Sequence, residues 1–394
     1  MEHTMRILQV VKTSEGALWA FHQADALIKR GMNVITVMPD LKGNVAKRYL
    51  EKGYPLIEAD FSLPISKPFS FIERVKNIKR IIAEVKPDLI HCHFVTNIIM
   101  MRIALRQDTI PRIFQVPGPL HLESFLFRML DIYTATQSDY WIGTCNKTVQ
   151  LYRDNKIPAD RVFLGYYGGY GGNECDSYCK SGDALHREYK INRQYSIIGM
   201  VSYVYRPKWY ALQRQGIKGH EDFIKAISIV RKTHPYVMAV IIGGPWGKSQ
   251  AYYEKIKAYA NRICGDNIIF TGTRKDIKEI YCELDVVVHP SHSENLGGAA
   301  ESLAAARPTI STNVGGFPDI VRDGETGYTV PAKKPKELAK AICKMLNDME
   351  NAEQMAHRGQ EKVRELLDIS NTAKTINNIY CKILKLDREY GKDL

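Results

Sequence analysis

The chain has 394 residues, of which 45% are hydrophobic and 25% charged. That is enough for two ordinary domains, each with its own core, and excludes low-complexity and disordered classes. A net charge of +12 favours anionic partners. Its lysines and arginines are spread over both halves without a basic tail, which argues against nucleic acid and leaves anionic small substrates or a phospholipid surface.

No apolar run is long enough to span a membrane, and Met1–Val11 carries Glu2 and Arg6 without a cleavage site, so a cytoplasmic protein is expected, free or peripheral at the inner face of the membrane. Ile7–Val10 reads as a buried strand. Trp19, Ala20, Ala24, Leu27 and Ile28 then recur at helical spacing before Gly31, and Val34–Met38 is a second strand. Strand, helix and strand in so short a stretch is a βαβ unit, which predicts a parallel sheet. The turn Thr13–Ala17 holds a single glycine, Gly16, where a dinucleotide fingerprint needs three, which argues against an NAD enzyme. Ser66–Lys86 is an amphipathic basic helix: Phe71, Val75, Ile78 and Ile82 alternate with Arg74, Lys76, Lys79 and Arg80. Its apolar face is expected in the core, with membrane contact by the basic face as the alternative. His91 and His93 point to one side of the strand that follows Pro87, with no further ligand in sight for a metal. Ile113–Val116, Asp139–Gly143 and Arg161–Gly165 complete the strands of this half.

Residues 171–193 are polar and read as the domain boundary. Cys175 and Cys179, with His186 further on, do not have zinc spacing and lack a second pair, so a solvent-exposed insertion and no metal are expected. The eight cysteines fit reduced thiols. Ile197–Val201 is a strand, and Phe223, Ile224, Ile227 and Val230 mark a helix starting near Gly219. Between them Tyr203–Ile217 is rich in Tyr, Arg, Lys and Trp, and Lys218 follows. Val240–Ile242 leads into Gly243, Gly244 and Pro245, and Ile268–Gly272 into Thr273, Arg274, Lys275 and Asp276. Lys336–Leu346 and Glu361–Leu386 are predicted helices.

The most informative stretch is 286–331. An apolar run, Val286–Val288, stops at Pro290; a turn with Glu294, Asn295, Leu296, Gly297 and Gly298 then opens an Ala/Leu-rich helix carrying Glu301. A helix N-terminus presents unpaired N–H groups and partial positive charge, a seat for phosphate. The glycines let a ligand approach the backbone, and the acids, which would repel phosphate, suit hydroxyls. Hydroxyls and phosphate together describe a sugar nucleotide; a plain βα unit with capping acids is the competing reading. The helix ends before Pro308, Thr309–Thr312 is a strand, and Gly315, Gly316, Pro318 and Asp319 follow.

In order and chemistry this stretch resembles the C-terminal signature of retaining glycosyltransferase family 4, in a variant reading Glu-Asn-Leu-Gly-Gly-Ala-Ala-Glu. Six residues separate Glu294 from Glu301, one fewer than the family usually has. A residue is about 100° on a helix, so the loop 295–298 must absorb the difference if both acids face one ligand. The resemblance implies a GT-B fold: an N-terminal Rossmann-like acceptor domain (1–185), a C-terminal Rossmann-like nucleotide-sugar domain (193–370) facing it across a cleft, and a last helix (371–394) returning to the first domain. It also implies metal-independent transfer with retention, without cofactor, from a UDP- or GDP-sugar to a glycan or lipid-linked acceptor in polysaccharide or glycolipid synthesis. No Asp-x-Asp motif stands in a suitable loop, which agrees.

Carried over residue by residue, the resemblance gives His121 of the loop Pro117–Glu123 a contact with the donor sugar. Lys218 receives the diphosphate, with Arg206, Lys208 or Arg214 supplying the second cation because Tyr203 stands at the family's arginine. Glu294 binds donor-sugar hydroxyls and Glu301 the ribose. Gly16, Gly243, Gly244, Asn295, Leu296, Gly297 and Gly298 line the donor path, and Arg274 marks the turn whose backbone reads the base. Two alternatives stay open: transfer of N-acetylglucosamine to a soluble aminocyclitol, as in aminoglycoside synthesis, and a sugar-nucleotide epimerase or phosphorylase of the same fold.

Overall fold

In a computed structural model the described residues are 4–65, 68–169, 182–208 and 213–386; Cys175 and Cys179 lie outside them. The chain forms two compact units, Met1–Gly169 with Leu367–Leu394, and Tyr170–Leu366.

The first unit is built on β1 (Arg6–Val10), β2 (Asn33–Met38), β3 (Leu56–Glu58), β4 (Leu89–Cys92), β5 (Arg112–Val116), β6 (Asp139–Gly143) and β7 (Val162–Leu164). All pairings are parallel, in the order β3-β2-β1-β4-β5-β6-β7. The second repeats this plan with β8 (Ser196–Val201), β9 (Val237–Ile242), β10 (Ile268–Gly272), β11 (Val286–His289), β12 (Thr309–Thr312) and β13 (Tyr328–Val330), ordered β10-β9-β8-β11-β12-β13. Strands covered by helices on both faces are buried along their length, and every residue of β4, β5, β11 and β12 is buried, the polar ones included. The order reverses between β1 and β4 and between β8 and β11, so each sheet has a switch point where an open α/β sheet leaves a crevice at its strand ends.

Three sequence expectations change. The boundary segment contains a helix, Ala184–Tyr189, within the second unit. Its first amides donate to the Glu283 carboxylate, 2.7 Å from Ala184 N and 3.0 Å from Leu185 N, a cap supplied from far along the chain. The basic helix spans Phe71–Val85, with Ile78, Ile81, Ile82 and Val85 buried; Ser66 and Lys67 lie outside the described residues. The predicted helix Glu361–Leu386 is two helices, Met349–Leu366 and Ile369–Leu384, because the Asp368 carboxylate accepts from Asn371 N at 2.9 Å and starts a new N-terminus. Ala373, Ile376, Ile379, Tyr380 and Ile383 of the last helix share a core with Ala20, Ala24 and Leu27.

Below β5 and β6 lies a fully buried ion network. Asp131 takes Arg102 Nη1 at 2.9 Å and Trp141 Nε1 at 3.0 Å, and Asp139 takes Arg102 and Arg112, each at 3.0 Å. No described helix is long and apolar enough to cross a membrane.

Candidate functional site

At the carboxyl ends of β8 to β11 is a cavity of about 250 Å³. Ser202, Tyr203 and Tyr205 border it after β8, Gly243 after β9, Thr273 and Arg274 after β10, and Gly298 and Glu301 on the helix after β11, with Lys218 reaching in. This is the switch point of the second sheet, where strand ends and a helix N-terminus converge.

Lys218 precedes Gly219, the N-cap of the helix His220–Val230. Its loop is fixed by Gly219 N donating to Gly216 O at 3.0 Å and His292 N donating to Ile217 O at 2.7 Å. The Lys218 ammonium rests directly on the Glu294 carboxylate, and the two side chains are 22% and 17% exposed. Burial pulls the lysine pKa down, but the charge and hydrogen bond of Glu294 outweigh it, so the amine is held above its ordinary value. Glu294 is itself seated by Gly315, at φ +54°, whose missing side chain is what lets the two backbones touch: a Cβ there would enter the Glu294 carbonyl.

Between the acids Gly297 takes φ +43° and begins the helix Gly297–Ala304. Its N-cap residue is Leu296, whose apolar side chain makes no cap hydrogen bond. Tyr281 donates to Glu301 at 3.2 Å, steadying its carboxylate at the cavity. Behind Gly298 the buried His289 ring lies 3.0 Å from Ser302 Oγ, and burial pushes its pKa down to about 3.

Of the residues singled out in the sequence, Tyr203, Lys218, Gly243, Arg274, Gly298 and Glu301 border one cavity, and Glu294 joins them through Lys218. Asn295, Leu296 and Gly297 form the turn between the acids. The Arg274 guanidinium is taken up by Glu188, at 2.7 Å, and Asp276, at 2.7 Å, so this turn offers backbone groups. Gly244 packs against Thr273 behind the cavity, and Lys208, whose amide donates to Gln213 Oε1 at 3.0 Å, is not among its lining residues. Gly16 and His121 belong to the other unit. His121 Nε2 sits 3.0 Å from Asp131 and 3.1 Å from Tyr152, tied into the ion network. His91 and His93 are buried, His91 Nδ1 2.5 Å from Tyr380 OH and His93 Nδ1 3.0 Å from Tyr167 OH.

Sequence reasoning missed Tyr205, Ser202 and Tyr281. The alternation Tyr203, Val204, Tyr205 continuing from a strand end was the available signal for the first.

Two family models match. Residues 6–125 fit the family described as Glycosyl transferase 4-like, and residues 211–362 the family described as Glycosyl transferases group 1. A D-inositol 3-phosphate glycosyltransferase of Acidothermus cellulolyticus is 32% identical over 174 residues, covering 42% of this chain and 38% of that protein. The capsular polysaccharide biosynthesis glycosyltransferase CapM of Staphylococcus aureus is 25% identical over 240 residues, 60% of this chain and 58% of CapM. The matched segments thus span less than two thirds of these relatives. Among solved structures, Anabaena HepE, in complex with UDP, superposes with a TM-score of 0.76 at 18% identity over 95% of this chain and 99% of its own. Sucrose-phosphate synthase from Thermosynechococcus elongatus gives 0.75 at 17% identity, over 97% and 99%. The architecture is GT-B, two Rossmann-like domains. With the two family matches it supports a glycosyltransferase of the GT4 type.

Proposed function

We propose that this protein transfers a sugar, with retention of anomeric configuration, from a UDP- or GDP-sugar to a glycan or lipid-linked acceptor. The observation that carries the reading is the Lys218–Glu294 pair set at a cavity that also holds Glu301 and a helix N-terminus. A diphosphate takes the Lys218 ammonium and the amides of Gly297 and Gly298; donor-sugar hydroxyls take Glu294, and ribose hydroxyls take Glu301.

As the glycosidic C–O bond breaks, negative charge grows on the leaving phosphate, and a fixed cation and amides stabilise that charge more than the ground state. Among the described residues Glu294 and Glu301 are given to hydroxyls in this reading and none is assigned as a nucleophile. The acceptor hydroxyl therefore attacks on the face that the phosphate leaves, and its proton passes to the leaving phosphate oxygen. Lysine and helix amides supply the charge that a metal provides elsewhere, so the reaction is metal-independent and without cofactor. A polysaccharide product is favoured by the match to CapM, which is named for capsular polysaccharide biosynthesis.

Thermal-shift measurements with UDP, GDP, ADP and CDP test the site, because a ligand of the folded state alone raises Tm. One of UDP or GDP is expected to stabilise by about 2.7 kcal/mol at a hundred times its Kd, and EDTA to leave transfer unchanged. Four flat traces, epimerisation of donor alone, or consumption of phosphate would each reject the transferase reading.

A lipid-linked acceptor fits a second feature. Phe69 is fully exposed and Ile72 and Ile65 are 66% and 68% exposed, on or near the helix that carries Arg74, Lys76 and Arg80, which border a groove of about 620 Å³ together with Asp60 and Glu73. Apolar side chains flanked by cations suit an anionic bilayer. Cosedimentation with vesicles containing phosphatidylglycerol is expected for the wild type and lost in Phe69→Ser/Ile72→Ser. Equal binding by both proteins would remove this surface from consideration, and a wholly soluble wild type would favour a soluble acceptor such as an aminocyclitol.

A further inference from the structure

We infer that Tyr203, Tyr205 and Trp246 form a stacking face for the pyranose ring of the donor, an assignment that rests on the nucleotide-sugar reading above. The face is built by two loops that keep pairing after β8 and β9 have ended. Ser202 N donates to Ile242 O at 2.8 Å, Val204 N to Gly244 O at 2.9 Å, and Trp246 N to Val204 O at 3.0 Å. Extended pairing imposes a two-residue period: Val204 is wholly buried, so Tyr203 and Tyr205 turn to the other side.

Both rings meet Trp246 there, with centroids 5.0 Å and 6.1 Å away. Tyr203 is 39% exposed and Trp246 51%, although Tyr203 also borders the cavity. Aromatic area of this size, held open on paired backbone at the edge of a binding cavity, is the feature that calls for a ligand.

The neighbours choose the ligand. Lys218 Nζ stands 5.9 Å from the Tyr205 ring centre and passes on to Glu294. The face therefore continues from the cation and carboxylate that receive the diphosphate and the sugar hydroxyls. A pyranose has one apolar C–H face and a rim of hydroxyls, so it can lie on aromatic rings while its rim reaches a carboxylate. The cavity of about 250 Å³ is bordered by Tyr203 and Tyr205 as well as by Glu301 and the Thr273–Arg274 turn, so a nucleotide held on the Glu301 side brings its hexose to the rings at the rim. Tyr203 thus replaces a cation with a sugar-facing ring and makes this loop a determinant of donor-sugar specificity.

Isothermal titration of wild type, Trp246→Ala, Tyr203→Ala and Trp246→Phe with UDP, UDP-glucose, UDP-N-acetylglucosamine, GDP and GDP-mannose tests this. Circular dichroism and Tm confirm folding of each variant. The nucleotide-sugar that wild type binds is expected to lose about tenfold in affinity in both alanine variants, while the matching nucleoside diphosphate changes less than about twofold. Trp246→Phe should restore most of the loss. Equal losses for nucleotide and nucleotide-sugar would overturn the proposal, since the rings would then hold the base, and so would unchanged affinity for the nucleotide-sugar. A wild-type protein that binds none of the five overturns the donor reading itself, a result distinct from both.

Discussion

Lys218→Ala is expected to lower kcat/KM for the proposed sugar transfer by about 10²–10³, the loss typical of removing one preorganised group that faces growing negative charge. Lys218→Arg recovers only part, because the ammonium is a compact point charge seated on Glu294 in a loop pinned by Gly216 and His292, and a planar guanidinium does not fit the same contact. Glu294→Gln is expected to lose transfer to a similar degree while binding the free nucleoside diphosphate more tightly than wild type does. The reason lies in the ion pair: before donor binds, Lys218 is already neutralised, so a diphosphate must take the ammonium away from Glu294. A nucleotide-sugar offers its hydroxyls to the carboxylate in exchange; a nucleotide alone leaves it stranded, which costs free energy in a partly buried site. Steady-state kinetics with parallel titrations of UDP or GDP decide the matter. Transfer at the wild-type rate by Lys218→Ala sinks the site assignment. Glu294→Gln that weakens the free nucleotide as much as Lys218→Ala does would show that the carboxylate is not a placeholder for the donor.

Much of this site could be read from the chain because parallel strands buried on both faces are continuous apolar runs, and each run ends in a punctuated turn. Val286–Val288 with Pro290, and Ile242 with Gly243, announce strand ends, and a switch point then brings those ends together. Glu294, Gly298 and Glu301 follow from one such turn, and Lys218 from another. What stayed hidden depends on partners far apart in sequence. Trp246 meets Tyr203 only because two loops pair beyond their strands. The helix Ala184–Tyr189 looks like a polar linker until Glu283 caps it. His121, in a loop with a Pro-Gly-Pro start, reads as a free ligand-facing histidine; its neighbours Asp131 and Tyr152 belong to later elements, and no local periodicity points at them. The break before Ile369 was missed for a different reason: Asp368 is an ordinary surface-looking acid whose capping role is visible only in its backbone geometry.

Acid is expected to destabilise the fold in two separable steps. His91 and His289 are pushed down to about 3 and His220 to about 4, each chiefly by burial, and His93 well below its ordinary value for the same reason. In the unfolded chain these rings titrate near 6.5, so below that pH the unfolded state binds protons that the native state refuses. Their contribution is complete above about pH 6.5 and declines as pH falls toward 3–4. The second step belongs to Asp131. Burial raises its pKa, but His121, Arg102 and Tyr152 outweigh burial and hold it below the usual carboxylate range. Its folded value is thus depressed, its stabilisation is present above about pH 4, and it is lost on further acidification. Asp131→Asn is expected to cost about 3–5 kcal/mol at neutral pH, since Arg102 is wholly buried and loses half of its carboxylate partners. The same variant should flatten the limb below pH 4 and leave the limb between 6.5 and 4 in place. Urea unfolding at half-unit steps from pH 7.5 to 2 reads both limbs. Stability that is constant from pH 7 to 4.5, or an asparagine variant as stable as the wild type, would show that these buried groups do not carry the fold's response to acid.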